Sequence, residues 1–118
     1  MQANALFIGW GPVVRGREQR SLEVFGEAVA YWSGLVAEGA VESFETYALD
    51  PHGGDLGGFL IAKGDPQKLA NIRLSEEFIK LNARAQTVVE NFGIVGATTG
   101  SALEQLFGYF GQVAAELA

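Results

Sequence analysis

Apolar residues fall along this chain in two rhythms that alternate. The run Ala5–Trp10 is apolar throughout and reads as a first strand, closed by a loop containing Gly11, Pro12 and Gly16. From Arg17 onward, Leu22, Phe25, Val29, Trp32 and Val36 recur at steps of three and four, which predicts a helix from about Arg17 to Glu38. Val24, Ala28, Tyr31 and Leu35 widen its apolar face, so the helix is expected to be buried around much of its circumference, and Gly39 is suited to end it. The stretch Val41–Leu49 carries Val41, Phe44, Thr46 and Tyr47, which suit a pleated surface, and stops at Asp50-Pro51. His52–Gly58, with four glycines, reads as the joint of a hairpin, and Phe59–Ala62 as the third strand.

Asp65 before Pro66 is a helix-start signal, opening a short helix to about Ile72. Ser75 can cap a second piece, with Glu76 and Glu77 in the turn where a helix favours negative charge. Phe78, Leu81, Ala85 and Val88 form its stripe, and Phe92–Thr98 reads as the fourth strand. Ser101 and Glu104 have capping-box spacing ahead of Leu103, Leu106, Phe107, Phe110, Val113 and Leu117, which predict a last amphipathic helix. The order is β-α-β-β-α-β with one helix appended, an α+β class.

A sheet with one wet face should alternate apolar and polar residues, and these strands do not. Leu6, Ile8 and Trp10 oppose Ala5 and Phe7, and Phe59 and Ile61 oppose Leu60 and Ala62, so both faces are apolar. Two crossovers of one hand put both helical segments on one side. The opposite face then needs a cover, since each large apolar side chain left wet forgoes about 1.5–3 kcal/mol. Either the last helix folds across it or a second copy of the sheet does, with the second copy the preferred expectation.

Composition narrows the function classes. The 118 residues fit one domain, 1–118. The absence of cysteine excludes disulfides, thiolate metal sites and a cysteine nucleophile, and favours a reducing, cytoplasmic setting. A formal net charge of −6 should repel nucleic acid and acidic membranes, so neither is expected as a partner. The apolar start is broken by Gly9, Gly11 and Pro12 and reads as a strand, not as a targeting segment. No metal or other cofactor is expected.

Three groups of residues could carry chemistry. His52, flanked by Asp50 and Asp55, could act as a base whose ring a carboxylate orients; the alternative is a solvated turn among glycines. Trp10, Tyr47 and, less readily, Trp32 could line a slot for an aromatic ligand, or be plain core. Arg15, Arg17 and Arg20 could hold a ligand carboxylate, or pair with Glu18 and Glu23. Gly9-Trp10-Gly11 is a poor dinucleotide loop because its third glycine is displaced to Gly16 and Pro12 interrupts it. No G-x-S-x-G elbow accompanies His52-Gly53-Gly54. An RNA-recognition sheet would need more stacking aromatics than Phe59 on strand three, and a less acidic chain.

The element order, the run Gly58-Phe59-Leu60-Ile61 through Asp65-Pro66, and Ser75-Glu76-Glu77-Phe78 resemble the dimeric α+β barrel superfamily over about residues 5–99. This group includes antibiotic-biosynthesis monooxygenase-like and stress-responsive barrel proteins. The resemblance implies a ferredoxin-like fold, two sheets meeting face to face in a homodimer, and a pocket between each sheet and its helices. Its members include cofactor-independent oxygenases, isomerase-like enzymes, haem degraders and proteins with no known activity, so fold does not select a function. The haem-degrading branch would need an axial histidine on a helix, whereas His52 sits in the hairpin joint.

Two expectations follow. One is a homodimer that binds a small, mostly apolar molecule as a cofactor-independent oxygenase or isomerase, with His52 and Asp50 at the reacting centre and Trp10, Tyr47 and Arg15 around the ligand. The other is a non-enzymatic dimeric module that senses a ligand or only assembles. An amino-acid-binding regulatory domain shares the strand order but is usually attached to an effector.

Overall fold

The sheet is built around β1 (Ala5–Trp10), whose neighbours are β3 (Gly58–Lys63) and β4 (Gly93–Ala97), with β2 (Ser43–Ala48) beyond β3. A computed structural model describes residues 3–118; Met1 and Gln2, the start of the expected 1–118 domain, lie outside the described residues. The helices are α1 (Glu18–Ala37), α2 (Pro66–Leu74), α3 (Glu76–Gln86) and α4 (Ser101–Glu116). The strand order β2-β3-β1-β4, antiparallel at every step, is that of a ferredoxin-like sheet.

The register assigns each side chain a face. Ile8 opposes Leu60 and Ile94, and Leu6 opposes Ala62, so these residues share the face that meets the helices. Phe7 opposes Ile61 and Val95, and Tyr47 opposes Phe59, so these share the other face. The core lies on the helix side, where Leu6, Ile8, Leu60, Trp32, Leu69 and Phe78 form one buried cluster. Trp32 meets Phe78 edge to face, with ring centroids 6.1 Å apart.

The local signals read in the sequence act where expected at the middle helices. Lys68 N–H donates to Asp65 Oδ2 at 3.1 Å, and Phe78 N–H donates to the Ser75 hydroxyl at 3.3 Å, so one residue separates two capped pieces. The capping box expected at Ser101 and Glu104 does not form. Gly100 takes the cap position at φ 67°, so Ser101 is already the first helical residue and its side chain caps nothing.

One expectation about burial is corrected, and the less favoured cover for the free sheet face is set aside. Among the residues of α1, only Val24 and Trp32 are buried, while Leu22 is 72% and Phe25 43% exposed. The first half of this helix stands off the sheet and its apolar residues face a cavity. The last helix is not a lid over its own sheet: α4 buries none of its residues and presents Phe107, Phe110 and Val113 to solvent. The chain is correspondingly drawn out, with a radius of gyration of 16.6 Å, against about 13–14 Å expected for a compact chain of this length.

On the sheet face away from the helices, Phe59 stacks between Phe7 and Tyr47 at centroid distances of 5.1 and 4.8 Å. Val95 beside them is 56% exposed. This face is apolar at its centre, with Ser43, Glu45 and Lys63 at the β2 end.

Candidate functional site

The gap beneath the raised half of α1 is a cavity of about 430 Å³. Ile8, Trp10 and Leu60 supply the sheet wall, Val24, Phe25 and Ala28 the α1 wall, and Leu81, Asn82 and Ala85 the α3 wall. One end is closed by backbone: Val14 N–H donates to Val88 O, Gly11 N–H to Glu90 O and Glu90 N–H to Pro12 O, each at 2.8 Å, making a short antiparallel strap beyond β1. Val13, Val88 and Val89 on this strap line the cavity too. Leu22 and Phe25 form an exposed apolar rim.

The outer edges of the two helices are tied by charge. Arg84 Nε donates to Glu27 Oε2 at 2.9 Å, Arg20 Nη1 meets Glu23 at 2.8 Å, and Arg17 Nη1 donates to Thr87 O at 3.3 Å. These groups are solvent-exposed, and each such pair is worth about 0–1 kcal/mol; Arg84–Glu27 and Arg17–Thr87 steady the α1–α3 spacing without dominating it, while Arg20–Glu23 lies within α1. None of the charged residues lines the cavity.

Polar atoms on the walls are few. The Ser21 hydroxyl is engaged with Glu18 O at 2.7 Å. Asn82 is only 9% exposed, and its carboxamide makes none of the side-chain hydrogen bonds found among the described residues. No side-chain nitrogen or oxygen among the described residues is sealed away without a partner, so the carboxamide opens onto the cavity.

The candidate residues separate. Trp10 is on the cavity wall, edge to face with Phe25 at 6.1 Å, and Trp32 is on the same side. Tyr47 borders the cavity through its main chain, while its ring stacks on Phe59 on the opposite face and its hydroxyl donates to Glu45. The two aromatic side chains therefore do not share a slot. The Glu45 hydrogen bond, together with its negative charge, holds the Tyr47 phenol above its ordinary pKa of 10.0. Burial pushes Tyr31 up as well, with Glu77 and Glu38 adding to it.

His52 lies in the exposed joint and does not line the cavity. Its Nδ1 accepts from Gly54 N–H at 3.2 Å, which leaves Nε2 as the protonated nitrogen donating to Leu56 O at 2.8 Å. The ring is held by its own loop, and neither Asp50 nor Asp55 is a partner of it among the described residues. Arg15 is exposed and off the cavity wall, as is Asp50.

Sequence reasoning passed over Asn82. The signal was present: it stands four residues after Phe78 and three before Ala85, a polar side chain on the apolar stripe of α3. A carboxamide placed there opens onto the cavity and has no side-chain hydrogen-bond partner among the described residues.

No protein-family model matches the chain, and no curated protein is similar to it in sequence. Solved structures are similar in fold. One is a dimeric protein of unknown function and ferredoxin-like fold from Bacteroides fragilis NCTC 9343, 11% identical, with a TM-score of 0.56 over 84% of this chain and 100% of that one. Another is SnoaB, a cofactor-independent oxygenase from Streptomyces nogalater, 15% identical, with a TM-score of 0.53 over 83% of this chain and 96% of its own. Strand order, helix placement and both similarities agree that this chain has the ferredoxin-like α+β fold.

Proposed function

We propose that this protein is a homodimer that binds a small, mostly apolar organic molecule in the cavity between α1, α3 and the sheet. The observation that carries the reading is the cavity itself: about 430 Å³, walled almost wholly by aliphatic and aromatic side chains and rimmed by exposed Leu22 and Phe25. That volume lies in the range of ligand sites, about 300–1,000 Å³. A packed core of this size would not leave such a gap unfilled without losing contact energy.

The homodimer is supported by the uncovered sheet face around Phe7, Phe59 and Val95, by α4 leaving its own subunit, and by the dimeric state of the Bacteroides fragilis protein of like fold. A second copy set sheet to sheet would bury that face.

A cofactor-independent oxygenase or isomerase acting on an aromatic substrate would use the same cavity, and SnoaB, whose fold is similar, is a cofactor-independent oxygenase. One observation favours a second reading, a ligand-sensing or carrier module without chemistry. Among the described residues, Tyr47 is the only titratable one on the walls, and its ring faces away. Proton transfer would have to come from outside the cavity or from the ligand.

Titration with the neutral aromatic 1-naphthol, followed by the emission of Trp10 and Trp32, tests the binding reading. Saturable quenching that is lost in Ala85→Phe, which fills the cavity, is expected. Quenching unchanged by that substitution would refute cavity binding.

A further inference from the structure

We infer that Asn82 sets the ligand class of this cavity: a neutral, largely apolar molecule carrying one carbonyl or hydroxyl group, which the Asn82 carboxamide binds. The inference rests on the reading of the cavity as a ligand site and adds what that site selects.

The argument is one of polar accounting. Asn82 is nine-tenths buried, on the inner face of α3 between Leu81 and Ala85, and its carboxamide meets the cavity without a protein partner. A ligand that covers this carboxamide without a hydrogen-bonding group strips its water uncompensated, so the position favours a ligand that completes it. A carboxamide both donates and accepts, which matches a carbonyl or a hydroxyl. Among the described residues, the walls carry no charged side chain to neutralise an ionised group, and Arg84, Glu27 and Arg20 are committed to one another outside the cavity. A carboxylate or ammonium would be desolvated without compensation and is excluded. Apart from the hydroxyls of Ser21 and Thr46, the remaining wall is apolar and rewards an apolar frame.

Binding of 1-naphthol, 1-methylnaphthalene and 1-naphthoate to the full-length protein and to Asn82→Leu tests this. The wild type is expected to reject 1-naphthoate. Its preference for 1-naphthol over 1-methylnaphthalene, taken as the ratio of the two Kd values, should exceed that of Asn82→Leu by roughly three- to tenfold. The variant should keep its affinity for 1-methylnaphthalene. A readout that needs no variant is the NMR signal of the Asn82 side-chain amide, which should move further downfield with 1-naphthol than with 1-methylnaphthalene, since the two probes share one ring system and differ in the hydrogen bond. An amide signal indifferent to 1-naphthol while the probe binds, or a ratio unchanged in Asn82→Leu, overturns the role of Asn82 and leaves the cavity reading standing. Failure of all three probes to bind the wild type overturns both.

Discussion

The indole of Trp10 lies over the bare backbone of Gly58, its partner across the β1–β3 ladder. A Cβ at Gly58 would stand 2.6 Å from Trp10 Cζ2 and 2.5 Å from the Tyr47 carbonyl oxygen. The missing side chain is what lets the ring lie flat against the sheet as a cavity wall. Gly58→Ala is therefore expected to cost about 1–3 kcal/mol, as overpacking does, and to shift Trp10 emission toward that of a more solvated ring. Urea denaturation with fluorescence detection measures both; wild-type stability with an unshifted spectrum would show that the contact is slack.

The opposite sign is expected on α1. Gly26 sits inside that helix at φ < 0, with open space where a Cβ would go. Gly26→Ala should raise stability by about 0.5–1 kcal/mol through helix propensity alone. An increased urea midpoint at constant slope is the expected result.

Trp32 gives the size of the packing term. It is almost wholly buried and touches Phe78 and Tyr31 edge to face, so Trp32→Ala should cost about 3–5 kcal/mol. Breaking the exposed Arg84–Glu27 pair with Arg84→Ala should cost less than about 1 kcal/mol. Equal losses in the two variants would mean that the helix spacing is set by charge and not by packing.

Alkaline titration reads the sheet face opposite the helices. Tyr47 ionises above 10.0 because its hydroxyl donates to Glu45 and meets its charge. Glu45→Gln should bring the Tyr47 transition back toward 10.0, visible in the ultraviolet absorbance of tyrosinate. For Tyr31 the native state holds the proton more tightly than the unfolded chain. Its contribution to stability is therefore complete below pH 10 and is lost as pH rises through its raised pKa.

Val95 tests the assembly without disturbing the subunit. It stands 56% exposed on the sheet face opposite the helices. Val95→Asp should leave the fold intact and halve the mass measured by light scattering, because a charge facing an apolar partner sheet loses its hydration. A wild-type mass equal to that of one chain would contradict the sheet-to-sheet dimer.

Much of the fold was legible because its signals are local or periodic. Asp65-Pro66 and Ser75 mark helix starts by direct hydrogen bonds, and the apolar residues of both sheet faces alternate with the pleat. Their ends moved by a residue or two: β2 runs Ser43–Ala48 within the expected Val41–Leu49, since Val41 belongs to the core beneath the loop and not to the ladder. What periodicity does not encode is distance from the sheet. Leu22 and Phe25 carry the same pattern as buried residues yet stand at the opening between α1, α3 and the sheet. For the same reason Trp10 and Tyr47 looked like neighbours in a slot, and only the register shows that their side chains leave on opposite faces. Asn82 was legible as a polar break in an apolar stripe, but its place on a cavity wall is a three-dimensional fact.

Locating a bound probe is the most direct test of the cavity's role. Crystals grown with 1-bromonaphthalene, a neutral apolar probe, should give one bromine anomalous peak per subunit, enclosed by Trp10, Phe25, Leu81 and Ala85. Bromine peaks confined to the outer sheet face around Phe59 and Val95, or to the surface of α4, would contradict a ligand site between α1 and α3.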